Sequence, residues 1–393
     1  MSTYLDLQNG FYNAFSQGLG FAPGIPFQMV QPSPPLVDGA KSDQMLWNYF
    51  NNIPPYSLTQ NYIASGGNQF TSDYSGLFSA LQGAPNSFEQ DIGPKCNTAW
   101  NAYTAVLPIT TPLSQFPVIF RSWAMRNGYS SVANVGASDL AQLLLDPISS
   151  AQMALMLYKP NGANTPTWDV GFADMTQQLS VAPTRKFLLN SSTMNSDVSN
   201  SWSKSSNSGF FGLWGGSSSS SSQSATFAAS GVTVDASFDH VMQFSAVPGD
   251  WYNSSAMSLA FSNKDGAPWD SSKPINWNNT FGQNGNMQRF AANLVIASGM
   301  KVLVTSAASF SKDDQTAINN NSGAGMWPFY NTNSSSGSST DVTFNNQGNM
   351  TVTITSLPNV PIVLGVIVEP AAVFVGQEGA QAYKQHLARL LKA

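Results

Sequence analysis

The sequence predicts an α+β protein: a helical N-terminal half packed on a β-rich, sandwich-like antiparallel C-terminal half that carries a long Ser/Gly-rich hairpin arm. Three observations predict it. Up to about residue 180, apolar residues recur every three or four positions. From there to residue 375 the period becomes two, with Val, Thr and Phe alternating with polar residues. Between residues 191 and 230 the composition narrows to Ser, Asn and Gly around one aromatic island. The expected organisation is a helical region over 1–180 with Pro-rich joints, a β region over 181–375 that includes the arm, and an amphipathic helix over 376–393.

Leu7, Phe11, Phe15 and Leu19 recur every four residues and predict one apolar helical stripe. Five prolines between Pro23 and Pro35 predict an extended joint. Ser42 and Asp43 can cap a helix holding Leu46, Tyr49 and Phe50, and Ser72 or Asp73 another through Tyr74, Leu77 and Phe78. A third helix is expected over Asn97 to Val106. Ser138 is expected to cap a helix with Leu140, Leu143 and Leu144. Asp146-Pro147 should break it and start the next, since Asp caps well and Pro is tolerated in a first turn.

In the second half, Val232 to Phe244 reads as one long half-buried strand with Val241 as an apolar intruder on its polar face. Leu294–Ile296 and Val302–Val304 predict strands on either side of Gly299. Val342 and Phe344 open an alternating run that closes on Met350, Val352 and Ile354. Pro361 to Val375 reads as one or two buried strands. From Gln377 on, Tyr383, Leu387 and Leu391 share one helix face, with Lys384, Arg389 and Lys392 towards its end.

Composition narrows the function. Only 9% of the 393 residues are charged, against about 25% in an ordinary soluble protein. With 16 Lys+Arg and a net charge of −5, a phosphate-tracking groove is hard to build, so nucleic acid is not an expected partner. One cysteine, Cys96, excludes an internal disulfide and a Cys-rich zinc site, and two histidines, His240 and His386, leave little for a metal centre. No metal or cofactor is expected. The first twenty residues lack a basic stretch followed by an apolar one, so the expectation is synthesis in the cytoplasm without a signal peptide, with release as the route to any action outside the cell.

The arm is the most informative segment. Phe210, Phe211, Leu213 and Trp214 form a compact apolar island among glycines, flanked by Ser/Asn-rich stretches. In the first stretch Met194, Val198 and Trp202 take even positions between polar neighbours. In the second Ala225, Phe227 and Ala229 alternate with Ser224, Thr226 and Ala228, and Gly231 shifts the register. Poly-Ser beside Gly could be no more than a surface loop. Alternatively, two nearly uncharged amphipathic arms with an aromatic tip suit a membrane-inserting hairpin, because a bilayer admits strands only as a closed barrel shared by several subunits. Lys204 falls on the lipid side of such a hairpin and counts against it.

Elsewhere, Trp251, Tyr252, Trp269, Trp277, Trp327 and Tyr330 lie among Asn, Ser and Gly, with Asp250, Asp270 and Asn276 close by in sequence. Aromatics beside amides and carboxylates can stack on sugar rings, although filling the edge of a β core is the commoner use. A thiol triad of Cys96, His240 and Asp239 lacks any supporting signature, and an enzyme is not expected. The function that follows is a membrane-active, self-associating protein of the β-pore-forming type. Phe210, Phe211, Leu213, Trp214, Trp202 and Phe227 would contact lipid or a partner. The alternative is a non-catalytic, self-assembling structural or glycan-binding protein using the same loop. The expected partners are a lipid membrane or glycan receptor and further copies of the chain.

Overall fold

A computed structural model describes residues 4–21, 25–30, 35–54, 69–108, 111–157, 167–196, 213–214, 222–283, 285–330, 338–357 and 359–376. The helices run α1 (Tyr4–Gly18), α2 (Ser42–Asn51), α3 (Phe70–Ser79), α4 (Phe88–Thr104), α5 (Phe116–Arg126), α6 (Ala133–Leu145) and α7 (Pro147–Leu157). They continue with α8 (Phe172–Leu179), α9 (Ser222–Ala229), α10 (Ser254–Ser262), α11 (Trp277–Thr280), α12 (Lys312–Asn321) and α13 (Ala371–Phe374). The strands are β1 (Phe27–Met29), β2 (Arg185–Asn190), β3 (Val232–Phe238), β4 (His240–Ser245), β5 (Arg289–Ser298) and β6 (Lys301–Ser306). After these come β7 (Gly325–Met326), β8 (Phe329–Tyr330), β9 (Ser338–Phe344), β10 (Met350–Ser356) and β11 (Ile362–Pro370). Helices dominate the first half and strands the second, so the fold is α+β. The helix expected over 376–393 lies outside the described residues, apart from Gly376 in a turn after α13.

Two units interleave along the chain. Described residues within Met1–Gly67, Val170–Ala246 and Phe290–Glu369 form the first. Those within Asn68–Asp169, Val247–Arg289 and Pro370–Ala393 form the second. Helices of the N-terminal half are thus divided between units, although their composition changes only once, near residue 180.

The first unit holds two antiparallel sheets, ordered β2-β3-β6-β10-β9 and β1-β11-β5-β4. Val234, Val304 and Val352 of one sheet and Phe27, Val295 and Leu364 of the other belong to a single apolar core. The predicted stripe on α1 is buried in that core, with Phe15 packed edge-on to Phe187 at 5.3 Å between ring centres. On the other face of the five-stranded sheet, Thr233, Thr305, Thr351 and Thr343 stand side by side in register. This is the period-two rule at work: alternate residues of each strand meet opposite faces. The chain crosses from β5 in one sheet to β6 in the other at Gly299, whose φ of 65° suits glycine. The run after Pro361 is one strand, β11, followed by the short helix α13.

The long strand predicted over Val232 to Phe244 is two. The chain leaves the five-stranded sheet after Phe238, and the Asp239 amide donates to the Ser298 carbonyl at 3.1 Å. It resumes as β4 in the other sheet. The change of sheet reverses which residues face inward, so the apolar intruder Val241 is buried.

In the second unit α4, α5 and α6 enclose a core of Phe88, Ile92, Cys96, Trp100, Phe116, Phe120, Trp123 and Leu140. α4 bends at Gly93, where φ is 75°, just before Pro94. α6 starts at Ala133, not after Ser138, because Gly136 and Ala137 do not interrupt it. A Cβ on Gly136 would overlap the Phe120 ring, so glycine there lets the two helices approach. Asp146 ends α6 and opens α7 as expected, its carboxylate accepting from the Ser149 amide at 2.8 Å. Asp43 departs from its expected role. Its carboxylate accepts the Phe172 amide at 2.6 Å and so caps α8 rather than its own helix.

Candidate functional site

The arm begins and ends on neighbouring antiparallel strands. β2 pairs with β3 through Asn190 opposite Thr233, so residues 191–231 form the connection of one β-hairpin. Its base is closed by two bonds: the Ser191 amide donates to the Val232 carbonyl, and the Val232 amide to the Ser191 hydroxyl, both at 2.9 Å. Beyond the base the described residues do not continue as strands. Thr193 turns back on Asn190, and Met194 packs against the core at Gly10 of α1.

The island and the second stretch differ from the expectation. Leu213 and Trp214 are 1% and 3% exposed and belong to the first unit's core. Trp214 forms a bridge to Met326, and the Trp327 amide donates to the Leu213 carbonyl at 3.0 Å. Residues 222–229 are the helix α9 rather than a strand. Ser224, Phe227 and Ala228 are buried at the i, i+3, i+4 spacing of a helix face. Ala and Gln favour this outcome, and the same letters also satisfy a period-two reading over so short a stretch. Leu213 and Phe227 meet Tyr4, Leu7 and Phe11 around a void of about 20 Å³. Phe210, Phe211 and Trp202 lie outside the described residues.

The aromatics considered for glycan stacking are tied into their own units. Trp251 is buried among Phe70, Tyr74 and Trp168, and its indole donates to the Thr167 carbonyl at 2.8 Å. Trp269 is also buried, with its indole on the Asn263 carbonyl at 2.6 Å. Trp277 is half-buried, donates to Phe261 at 2.7 Å and carries the Lys264 ammonium 4.6 Å above its ring. Tyr252 is half-buried beside Tyr74, and Trp327 packs on Phe11 at 5.0 Å. Tyr330 lies in β8. Asp270 holds its own turn through Ser272, and Asn276 caps α11. Three indole N–H groups therefore already serve carbonyls, and two of the three rings are closed to a sugar.

No catalytic constellation emerges among the described residues. Cys96 is buried in the second unit, where desolvation pushes its thiol up and away from the reactive thiolate. His240, in the first unit, is half-buried with Nδ1 2.8 Å from the Ala182 carbonyl. Burial also raises the carboxyls of Asp73 and Glu369. Asp139 is raised by burial first, then by the charge of Asp91 and a hydrogen bond to it. Among the described residues no group of three His, Cys, Asp or Glu side chains could hold a metal.

One surface was missed by the sequence reading. α5 turns Phe116, Phe120, Trp123 and Ala124 inward and Val118, Arg121 and Met125 outward. The outward residues line an open groove of about 680 Å³ between α5 and α6, closed on the other side by Asn134, Ala137 and Ser138. Val118 is 68% and Met125 60% exposed. The same stretch of chain exposes Val106, Val135, Leu145 and Met156. Six of the thirteen large apolar side chains exposed among the described residues thus fall between residues 106 and 156. No single described helix is long and apolar enough to cross a membrane. Ser130–Leu145 and Pro147–Leu157 reach that length and hydropathy only together, across a bend of 106°.

In comparison with known proteins, the chain matches no protein-family model, no curated protein and no solved structure.

Proposed function

We propose that this chain is a non-catalytic, membrane-active protein that associates with copies of itself. The observation that carries the reading is the concentration of exposed Val, Leu and Met between residues 106 and 156, five of the six on α5, α6 and α7. Scattered apolar residues are ordinary on a protein surface, whereas exposed Val118 and Met125 lining one groove mark an interaction site. Burying one such side chain fully is worth about 1.5–3 kcal/mol, so several acting together can hold a protein at a lipid interface. Self-association fits the same surface chemistry, because a chain with 9% charged residues opposes contact between copies only weakly.

A second step, insertion of the arm as part of a β-barrel, is favoured by the place of residues 191–231 in the fold. They join adjacent antiparallel strands, so extending them would prolong a ladder that already exists. The step requires Met194, Leu213, Trp214 and Phe227 to leave the first unit's core.

Flotation of the full chain with lipid vesicles, together with release of an enclosed dye, tests the reading. The protein is expected to rise with the vesicles. A protein that stays in the aqueous fraction with every lipid composition overturns membrane activity. Light scattering at rising concentration tests association, and a particle that remains monomeric throughout excludes it.

A further inference from the structure

We infer that the groove between α5 and α6 is a docking surface for anionic phospholipid; the inference rests on the membrane reading above and names the lipid it requires. The groove is lined by Arg121 and Arg126, and neither guanidinium has a hydrogen bond or ion pair with any described residue. No carboxylate of the described residues lines the groove. A free guanidinium is weakly hydrated and offers a planar fork of donors that matches phosphate oxygens. In a chain with only 16 Lys+Arg and a net negative charge, two arginines without a described partner lie in one groove.

Charge complementarity therefore selects an anionic occupant, and the groove's other residues select an amphipathic one. Val118 and Arg121 are three residues apart, and Arg121 and Met125 four, so they follow one another along one face of α5. Val118 and Met125 would reach below the headgroup level while Arg121 and Arg126 meet the phosphates. That is the geometry of a helix lying in the plane of an interface. Phe120 and Trp123 fix the inner face of α5, with Trp100 5.0 Å from Phe120 and 5.3 Å from Trp123, so the outward row is presented on a packed scaffold.

The test is binding of the full chain to phosphatidylserine-containing and to phosphatidylcholine-only vesicles, for wild type and for Arg121→Gln/Arg126→Gln. Each arginine near an anionic surface is worth about a fivefold change in partitioning, so the double variant should bind phosphatidylserine vesicles roughly twenty-five-fold less. Both arginines are exposed and without a partner among the described residues, so its melting should match wild type. Equal binding by variant and wild type overturns the groove. Equal binding of wild type to both vesicle types overturns the anionic requirement and leaves membrane activity standing. Binding to neither overturns both. Competition by inorganic phosphate would reassign the groove to a soluble anion. Loss of self-association in the double variant, with vesicle binding intact, would reassign it to a second copy. Either result sinks the lipid assignment.

Discussion

Asp139 is the residue whose setting has the clearest measurable consequence. It is buried on α6, and both burial and Asp91 raise its carboxyl. A raised carboxyl means that the folded state binds more protons than the unfolded one between the ordinary value and the raised one. Its stabilising contribution is then complete below the ordinary carboxylate range and lost as pH rises through the raised value. Asp139→Asn keeps a hydrogen-bonding amide beside Asp91 without the buried charge. The variant should melt a few degrees higher than wild type near neutral pH, and the difference between acidic and neutral melts should shrink. Thermal melts at the two pH values check this, and an unchanged neutral melt excludes it. The sequence offered little warning of this pair. Asp91 and Asp139 are far apart in the chain, and Ser138 beside it looked like a helix start rather than the middle of α6.

At the scale of elements, the arm's attachment can be tested by fixing it. Trp214 and Met326 are opposed in an antiparallel bridge, a separation that a disulfide can span. Trp214→Cys/Met326→Cys should therefore lock residue 214 to the body when oxidised. If the arm inserts into bilayers, the oxidised form releases no vesicle dye and a reductant restores release. Equal leakage from both forms removes the arm from the mechanism. The native Cys96 is buried and offers little competition for this pairing. Much at this scale was legible in sequence. The stripe on α1, the strands on either side of Gly299, the alternating strands β9 and β10, and the Asp146-Pro147 break follow from periodicity and turn chemistry that act over a few residues. α9 was not legible, because eight residues fit a period of two or of 3.6. The break between β3 and β4 was hidden for a different reason: both strands alternate, and only the partner sheet tells which face is inward.

For the whole molecule, the candidate surfaces belong to different units. The arm is anchored in the first, and the arginine groove is in the second. The sequence drew attention to the arm because its composition is unusual. It gave no such signal for the groove, whose residues are unremarkable letters in a helix and become a site only when α6 lies beside α5. The order of the four-stranded sheet has a consequence for biosynthesis. β11 separates β1 from β5, and Phe27 of β1 pairs with Ile367 of β11. During translation β1 therefore leaves the ribosome long before β11, its neighbour in that sheet among the described residues, exists. The first unit cannot finish this sheet until β11 has been made, and its apolar strands must be kept from aggregating until then.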